Sequence, residues 1–384
     1  MSTSVLPKRR TDYAIVQHWY KIAKFLAYTP ITFKPQHNKT RVYVSALYPP
    51  VLFLIYLIAT LFSFYERLFF IYEQFNISQC ILDTLQGVVE FLFIEHAVIL
   101  SLIKKRNWKK LMSSIAQLEQ RLNWPWINQI PDSSLRMLRV KIIMYHLAYA
   151  SMHVYDTIAN WTSLSYSLAF IIFRFTTYYL MFSTLFITFI CGWLRNRYLY
   201  LEQLLESSAS TQYFNFSILH NESVLGKLSE FSHNYKSMYL IVQEVNAIFG
   251  TYFFFITICT VLEILNAVNY GMPTKNLGVE DAVTGVNVIY LLFYTMCNVQ
   301  VVMSCNSILK CSKKIWTTCL ILHQQTESVE IREVYLILSH FIQGLSPEFS
   351  AAGFWIVNQS VLSTLFSSVM TYLIIIIQFN MTLI

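Results

Sequence analysis

The chain has 384 residues, 55% of them hydrophobic, 16% aromatic and only 13% charged, with a mean hydropathy of +0.46. Soluble domains carry roughly a quarter of their residues as charges, so this composition excludes a soluble globular protein and indicates an integral membrane one. The net charge of +7 arises from 28 basic and 21 acidic residues, and the basic ones are placed as membrane-topology signals and contacts with anionic lipid, not as a nucleic-acid surface.

Gly and Pro number nine each, which predicts long unbroken helices and speaks against a transporter built on interrupted spans. The first forty residues are polar and basic, with no apolar run followed by a cleavage site. The first span is therefore expected to direct insertion itself. A helix needs about 20 apolar residues to cross the hydrocarbon. Seven stretches satisfy this: residues 42–64, 81–103, 142–161, 166–194, 245–270, 287–309 and 354–379.

Eight Lys and Arg residues precede the first span. Nine follow the second, from Lys104 to Lys141. Four follow the fourth (Arg195, Arg197, Lys227, Lys236) and four the sixth (Lys310, Lys313, Lys314, Arg332). The opposite side holds only Arg67 and Lys275, and Arg174 falls inside the fourth span. The expectation is an all-α membrane protein of seven transmembrane helices, with its amino terminus cytoplasmic and its carboxyl terminus extracellular. Sequons at Asn76, Asn160 and Asn380 then fall outside, as possible glycosylation sites. A G-protein-coupled receptor would point its amino terminus the other way. Of the seven cysteines, only Cys80 is expected on the oxidising side, and none forms a C-x-x-C pair, so neither an outer disulfide nor a zinc site is expected.

The chain divides into a cytoplasmic amino-terminal segment (1–41), six helices (42–309), a cytoplasmic anchor segment (310–352), and a seventh helix with a short outer tail (353–384). Residues 221–244 and 310–325 are expected to prolong the fifth and sixth spans as helices beyond the bilayer. Val334, Leu338, Phe341 and Leu345 recur at helical spacing, predicting a short amphipathic helix that ends near Gly344 and Pro347. Its apolar face needs a partner, either neighbouring subunits or this chain's own extensions.

Ionisable groups inside a bilayer are costly and mark a cavity or a partner. Asp83, Gln86 and Glu90 share one face of the second span, with Glu95 and His96 deeper. His153, Asp156 and Asn160 share a face of the third. Phe170, Arg174 and Tyr178 line the fourth, Glu263, Asn266 and Tyr270 the fifth, and Tyr290 and Tyr294 stand a turn apart on the sixth. All lie toward the extracellular side in this topology. They predict a polar, aromatic-lined pocket for a small organic ligand, with Arg174 paired to Asp156, Glu90 or Glu263; a buried network that only specifies helix packing is the alternative. No Gly-rich phosphate loop, H-E-x-x-H or G-x-S-x-G occurs, so neither an enzyme nor a cofactor is expected.

The last span carries a row of hydroxyls (Ser360, Ser363, Thr364, Ser367, Ser368, Thr371) ahead of an aliphatic run tipped by Gln378. Such a row suits a helix packed against copies of itself around a watery path; an ordinary buried membrane helix is the other reading.

Thr371-Tyr372, five aliphatic residues, then Gln378-Phe379 resembles the carboxyl-terminal signature of insect gustatory receptors. The preceding 350–358 segment is similar to the one that opens the last helix in that family, and the related odorant receptors usually depart from this ending. The resemblance implies a tetramer of helical subunits, of this chain alone or together with other gustatory receptors, in the plasma membrane of chemosensory neurons. Their last helices line one pore, and their cytoplasmic extensions form a shared anchor. It implies a non-selective cation channel opened by a small tastant, a bitter plant compound in preference to a sugar. Gln378 and Phe379 would stand at the outer constriction with Ile375 one turn below, closing the pore by dewetting.

Overall fold

The computed structural model describes residues 31–36, 39–44, 48–71, 77–121, 132–159, 171–212, 218–271 and 281–382. Residues 42–44, expected to open the first span, instead close an antiparallel hairpin. In it β1 (Ile31–Gln36) pairs with β2 (Lys39–Val44), Phe33 opposite Val42. Val42, Tyr43 and Val44 are β-branched or aromatic and suit a strand as well as a span. The helix begins later, as α1 (Tyr48–Glu66), with Pro49 and Pro50 in a first turn where a missing N–H is harmless. It ends in a π-helical turn, Arg67–Ile71.

The remaining helices are α2 (Ile77–Ile103), α3 (Lys105–Arg121), α4 (Asp132–Ala159), α5 (Ile171–Gln212), α6 (Ile218–Gly271), α7 (Asp281–Gln325), α8 (Val329–Gly344) and α9 (Gln359–Thr382). Length alone says that three of them leave the bilayer. The 54 residues of α6 extend roughly 80 Å at 1.5 Å per residue, against roughly 30 Å of hydrocarbon. The 45 of α7 and the 42 of α5 overrun it too. Residues 221–244 and 310–325 are thus continuous with the helices that carry the fifth and sixth spans.

Among the described residues, five helical stretches are long and apolar enough to cross a membrane: Tyr48–Phe69, Ile77–Ile99, Arg174–Ser207, Leu225–Asn269 and Gly285–Gln325. The expected third and seventh spans are helical, in α4 and α9, but do not belong to that set. The five differ in how much they bury. In α5, 83% of the apolar window lies inside the protein, against 22% in α1. So α5 is the central post, packed on α7, α6 and α4, whereas α1 offers Leu54, Ile58, Leu61 and Phe62 outward, as a lipid-facing helix does.

Below the spans, α8 lays Ile331, Tyr335, Leu338 and Ile342 against α7 and α6. The partner for its apolar face is therefore this chain's own extensions. Burial there pushes the Tyr335 hydroxyl up to about 12. Tyr235 of α6 joins the layers, sharing a 2.7 Å hydrogen bond with Ser312 of α7 and packing edge-on against Tyr198 of α5. Ion pairs stitch the outside: Lys314 to Glu202 at 2.6 Å, and Lys110 to Glu244.

Residues 350–358, expected to open the last helix, form a second, tight hairpin. Ser350–Ala351 (β3) pairs with Trp355–Ile356 (β4). Ala352 and Gly353 both have positive φ, 53° and 87°, and the Phe354 N–H donates to the Ala351 carbonyl at 2.9 Å. A helix tolerates neither positive φ, so α9 starts at Gln359 rather than near residue 354. The hairpin sits on α6 at Gly250, where an added Cβ would stand 3.2 Å from the Ser350 carbonyl oxygen and 3.3 Å from the Ala352 nitrogen. One turn earlier, the Asn246 amide donates to the Glu348 carbonyl (2.6 Å) and accepts from the Ser350 N–H (3.1 Å). Phe354 and Trp355 close over Phe254.

Candidate functional site

The helix faces identified in sequence meet in two adjoining polar clusters. The first joins α2, α6 and α7. Gln86 is its hub: its amide nitrogen donates to Glu263 at 2.6 Å and to Glu90 at 3.1 Å, while its oxygen accepts from Asn266. The Tyr294 hydroxyl reaches Glu90 at 3.0 Å from α7, with Thr177 of α5 at 3.4 Å behind it. Gln86, Glu90, Glu263 and Tyr294 are all buried. A carboxylate in such a place is held only by its donors, so every N–H and O–H here counts.

The second cluster joins α4, α5 and α7. Arg174 was expected to pair with Asp156, Glu90 or Glu263, and it takes Asp156, through Nε at 3.1 Å and a terminal nitrogen at 3.0 Å. Asp156 is one turn beyond His153 on α4 and faces α5, whereas Glu90 and Glu263 point into the first cluster. Tyr290 bridges two of the acidic and basic groups, its hydroxyl 3.2 Å from His153 Nδ1 and 3.4 Å from Asp156. Tyr149 packs at 4.2 Å on the His153 ring and at 5.2 Å on Tyr178, and donates to the Arg174 carbonyl. The result is a basic–acidic pair walled by aromatic rings, half-buried at Tyr149, His153, Arg174 and Tyr178. Tyr290 and Tyr294, i and i+4 on α7, connect the clusters.

Nine predicted ligand-site residues thus divide four and five: Glu90, Glu263, Asn266 and Tyr294 in one cluster, and His153, Asp156, Arg174, Tyr178 and Tyr290 in the other. Sequence reading missed two contributors. Arg67, counted as a loop charge, makes a buried 2.9 Å pair with Asp83 at the outer edge of the first cluster. Tyr149 lies four residues before His153, a spacing that could have disclosed it. Asn160, Phe170 and the Tyr270 side chain lie outside the described residues, as do Asn76 and the side chains of Asn380 and Phe379.

In α9, Thr371, Tyr372, Ile375 and Gln378 are exposed. Among the described side chains of this helix, Val369 alone is buried. Its threonines bond back into their own helix, Thr364 to the Ser360 carbonyl and Thr371 to that of Ser367.

Comparison with known proteins agrees with this architecture. The family model described as 7tm Chemosensory receptor matches residues 17–383. Among solved structures, the chain is similar to the insect olfactory receptor OR5 from Machilis hrabei, with a TM-score of 0.66 at 13% identity, covering 96% of this chain and 100% of that one. It is also similar to OR5 in complex with eugenol, with a TM-score of 0.62 at 15% identity and the same coverage. No curated protein matches at a significant level. The chain belongs to the 7tm chemosensory receptor family of multi-pass membrane proteins, that of the insect gustatory and odorant receptors.

Proposed function

We propose that this protein is a gustatory receptor acting as a ligand-gated, non-selective cation channel, opened by a small tastant that binds between α2, α4, α5, α6 and α7. The observation that carries the reading is α9. It is a helix of 24 residues whose described side chains are, apart from Val369, at least partly open in the single chain, and it ends in the Thr371-Tyr372…Gln378-Phe379 motif. A row of small hydroxylated side chains left open along a membrane helix suits close packing against other protein, and copies of the same helix around an axis provide it. In a tetramer, Ile375, Gln378 and Phe379 then form the gate. The segment 310–352 with the lower parts of α5 and α6 forms the anchor, the amino terminus is cytoplasmic and the carboxyl terminus extracellular. The terminal motif favours a gustatory over an odorant assignment. The aromatic walls of the second cluster favour a bitter plant compound over a sugar, and eugenol, the aromatic molecule bound by OR5, is of comparable character. Assembly with another gustatory receptor is compatible with the same open helix.

Reconstitution of the purified chain alone in a planar bilayer tests this. Ligand-evoked unitary currents support the channel. Their absence, with G-protein activation in cells instead, would replace it with a metabotropic receptor.

A further inference from the structure

Resting on the ligand site proposed above, we infer that the first cluster is a seat for a positively charged amine, and that the preferred ligand carries an ammonium group on an aromatic body. The inference begins with charge. Four acids gather across the two clusters, and two face an arginine each: Asp83 faces Arg67 and Asp156 faces Arg174. Glu90 and Glu263 make no ion pair among the described residues, although both are buried. They share one amide nitrogen, that of Gln86, and Tyr294 adds a single hydroxyl on the Glu90 side.

The second observation is a lack of donors. Asn266 spends its amide nitrogen on Gln86, and its carbonyl oxygen is buried with no hydrogen-bond partner among the described residues. Two carboxylates and this oxygen thus offer more lone pairs than Gln86, Asn266 and Tyr294 can fill. An ammonium group brings three N–H donors and the missing positive charge together. The other end of such a guest would lie toward aromatic side chains. Tyr294 leads through Tyr290 to the ring-lined second cluster, where Tyr149 and Tyr178 pack edge to face with ring centroids 5.2 Å apart. Arg174 does not repel the guest's charge, because Asp156 already neutralises it.

An inorganic cation fits less well. It would use the same carboxylate oxygens but make no contact with the aromatic rings beyond Tyr294.

The test uses purified full-length protein in lipid nanodiscs and measures equilibrium binding, with no reliance on current. The probes are 2-phenylethylammonium and its neutral analogue 2-phenylethanol. A charge-assisted hydrogen-bonded contact is expected to give the amine a preference of about tenfold or more. Glu263→Gln should abolish the preference, read as the ratio of amine to alcohol affinity measured in that same variant. The wild-type comparison stands even if that variant misfolds. Equal binding of the two probes overturns the inference, as does a preference that persists in Glu90→Gln/Glu263→Gln. Displacement of the amine by millimolar sodium or calcium, with no amine-over-alcohol preference, also overturns it in favour of an inorganic cation. Amine binding without any current would support the seat and count against the channel; current evoked by neutral compounds with no amine preference would do the reverse.

Discussion

Replacing Asn246 with Ala should loosen the hairpin that leads into α9 without disturbing α6 itself. Two hydrogen bonds disappear, the one to the Glu348 carbonyl at 2.6 Å and the one from the Ser350 N–H at 3.1 Å. Each is worth about 1 kcal/mol net, so the hairpin's local opening becomes easier by about 2 kcal/mol, or roughly thirtyfold in its equilibrium constant. Ala is the better helix former of the two, and that gain in propensity is confined to α6. Hydrogen–deuterium exchange of the protein in nanodiscs reads the change directly. Amides of residues 349–357 should exchange about ten- to thirtyfold faster, while those of 235–245 and of α8 keep their rates. Asn246→Asp separates the two bonds, because it keeps an acceptor for Ser350 and loses the donor to Glu348. Its Ser350 amide should stay protected. Wild-type exchange at Ser350 in the Ala variant would refute the clamp.

Gly250 is the contact beneath the same hairpin. Gly250→Ala should be near neutral, since a helix gain of about 1 kcal/mol offsets a shift of a few tenths of an ångström, whereas Gly250→Val should cost about 2 kcal/mol by overpacking backbone. Thermal midpoints from fluorescence-detected size exclusion check this, and a Val variant that melts like the parent removes the close approach from the account. Arg174→Ala leaves Asp156 buried without its cation, a defect typically of about 3 kcal/mol or more. The half-maximal ligand concentration should rise at least about tenfold, and Arg174→Ala/Asp156→Asn should regain surface assembly but not sensitivity. An unchanged dose response would detach this pair from ligand binding. Phe379→Ala should raise the current in the absence of ligand, measured by patch clamp; a silent closed state with a normal response would take Phe379 out of the gate.

Much of the helical plan was legible because membrane spans announce themselves by length and apolarity, and because polar residues at i, i+3, i+4 and i+7 in such spans have few places to go. That logic put Glu90, Glu263, Asn266 and Tyr294 on inward faces, and His153, Asp156 and Arg174 likewise. It could not say which acid Arg174 would choose. That choice depends on the rotation of α4 and α5 about their own axes, which periodicity within one helix does not encode. Residues 42–44 and 350–358 misled for a related reason. Val42, Tyr43 and Val44, or Phe354, Trp355 and Ile356, are apolar enough for a membrane helix, and three consecutive residues have no period to read. The decisive marker in the second case was Gly353 beside Ala352, a pair whose positive φ values emerge only once the chain must turn back onto Gly250. Asn246 was invisible as a clamp, since its partners are main-chain groups more than a hundred residues away.

A single continuous rod has its own mechanical corollary. Gly250 and Glu263 are thirteen residues apart on α6, about 20 Å at 1.5 Å per residue, with no proline or glycine in between to absorb bending. A lever of that length turns a small pivot at one end into a comparable stroke at the other. With a fulcrum midway between Gly250 and Glu263, a tilt of about 3° moves either of them by roughly half an ångström. Whatever settles against Glu263 and Asn266 therefore tugs on the root of α9 through solid helix, with no loop to dissipate the pull.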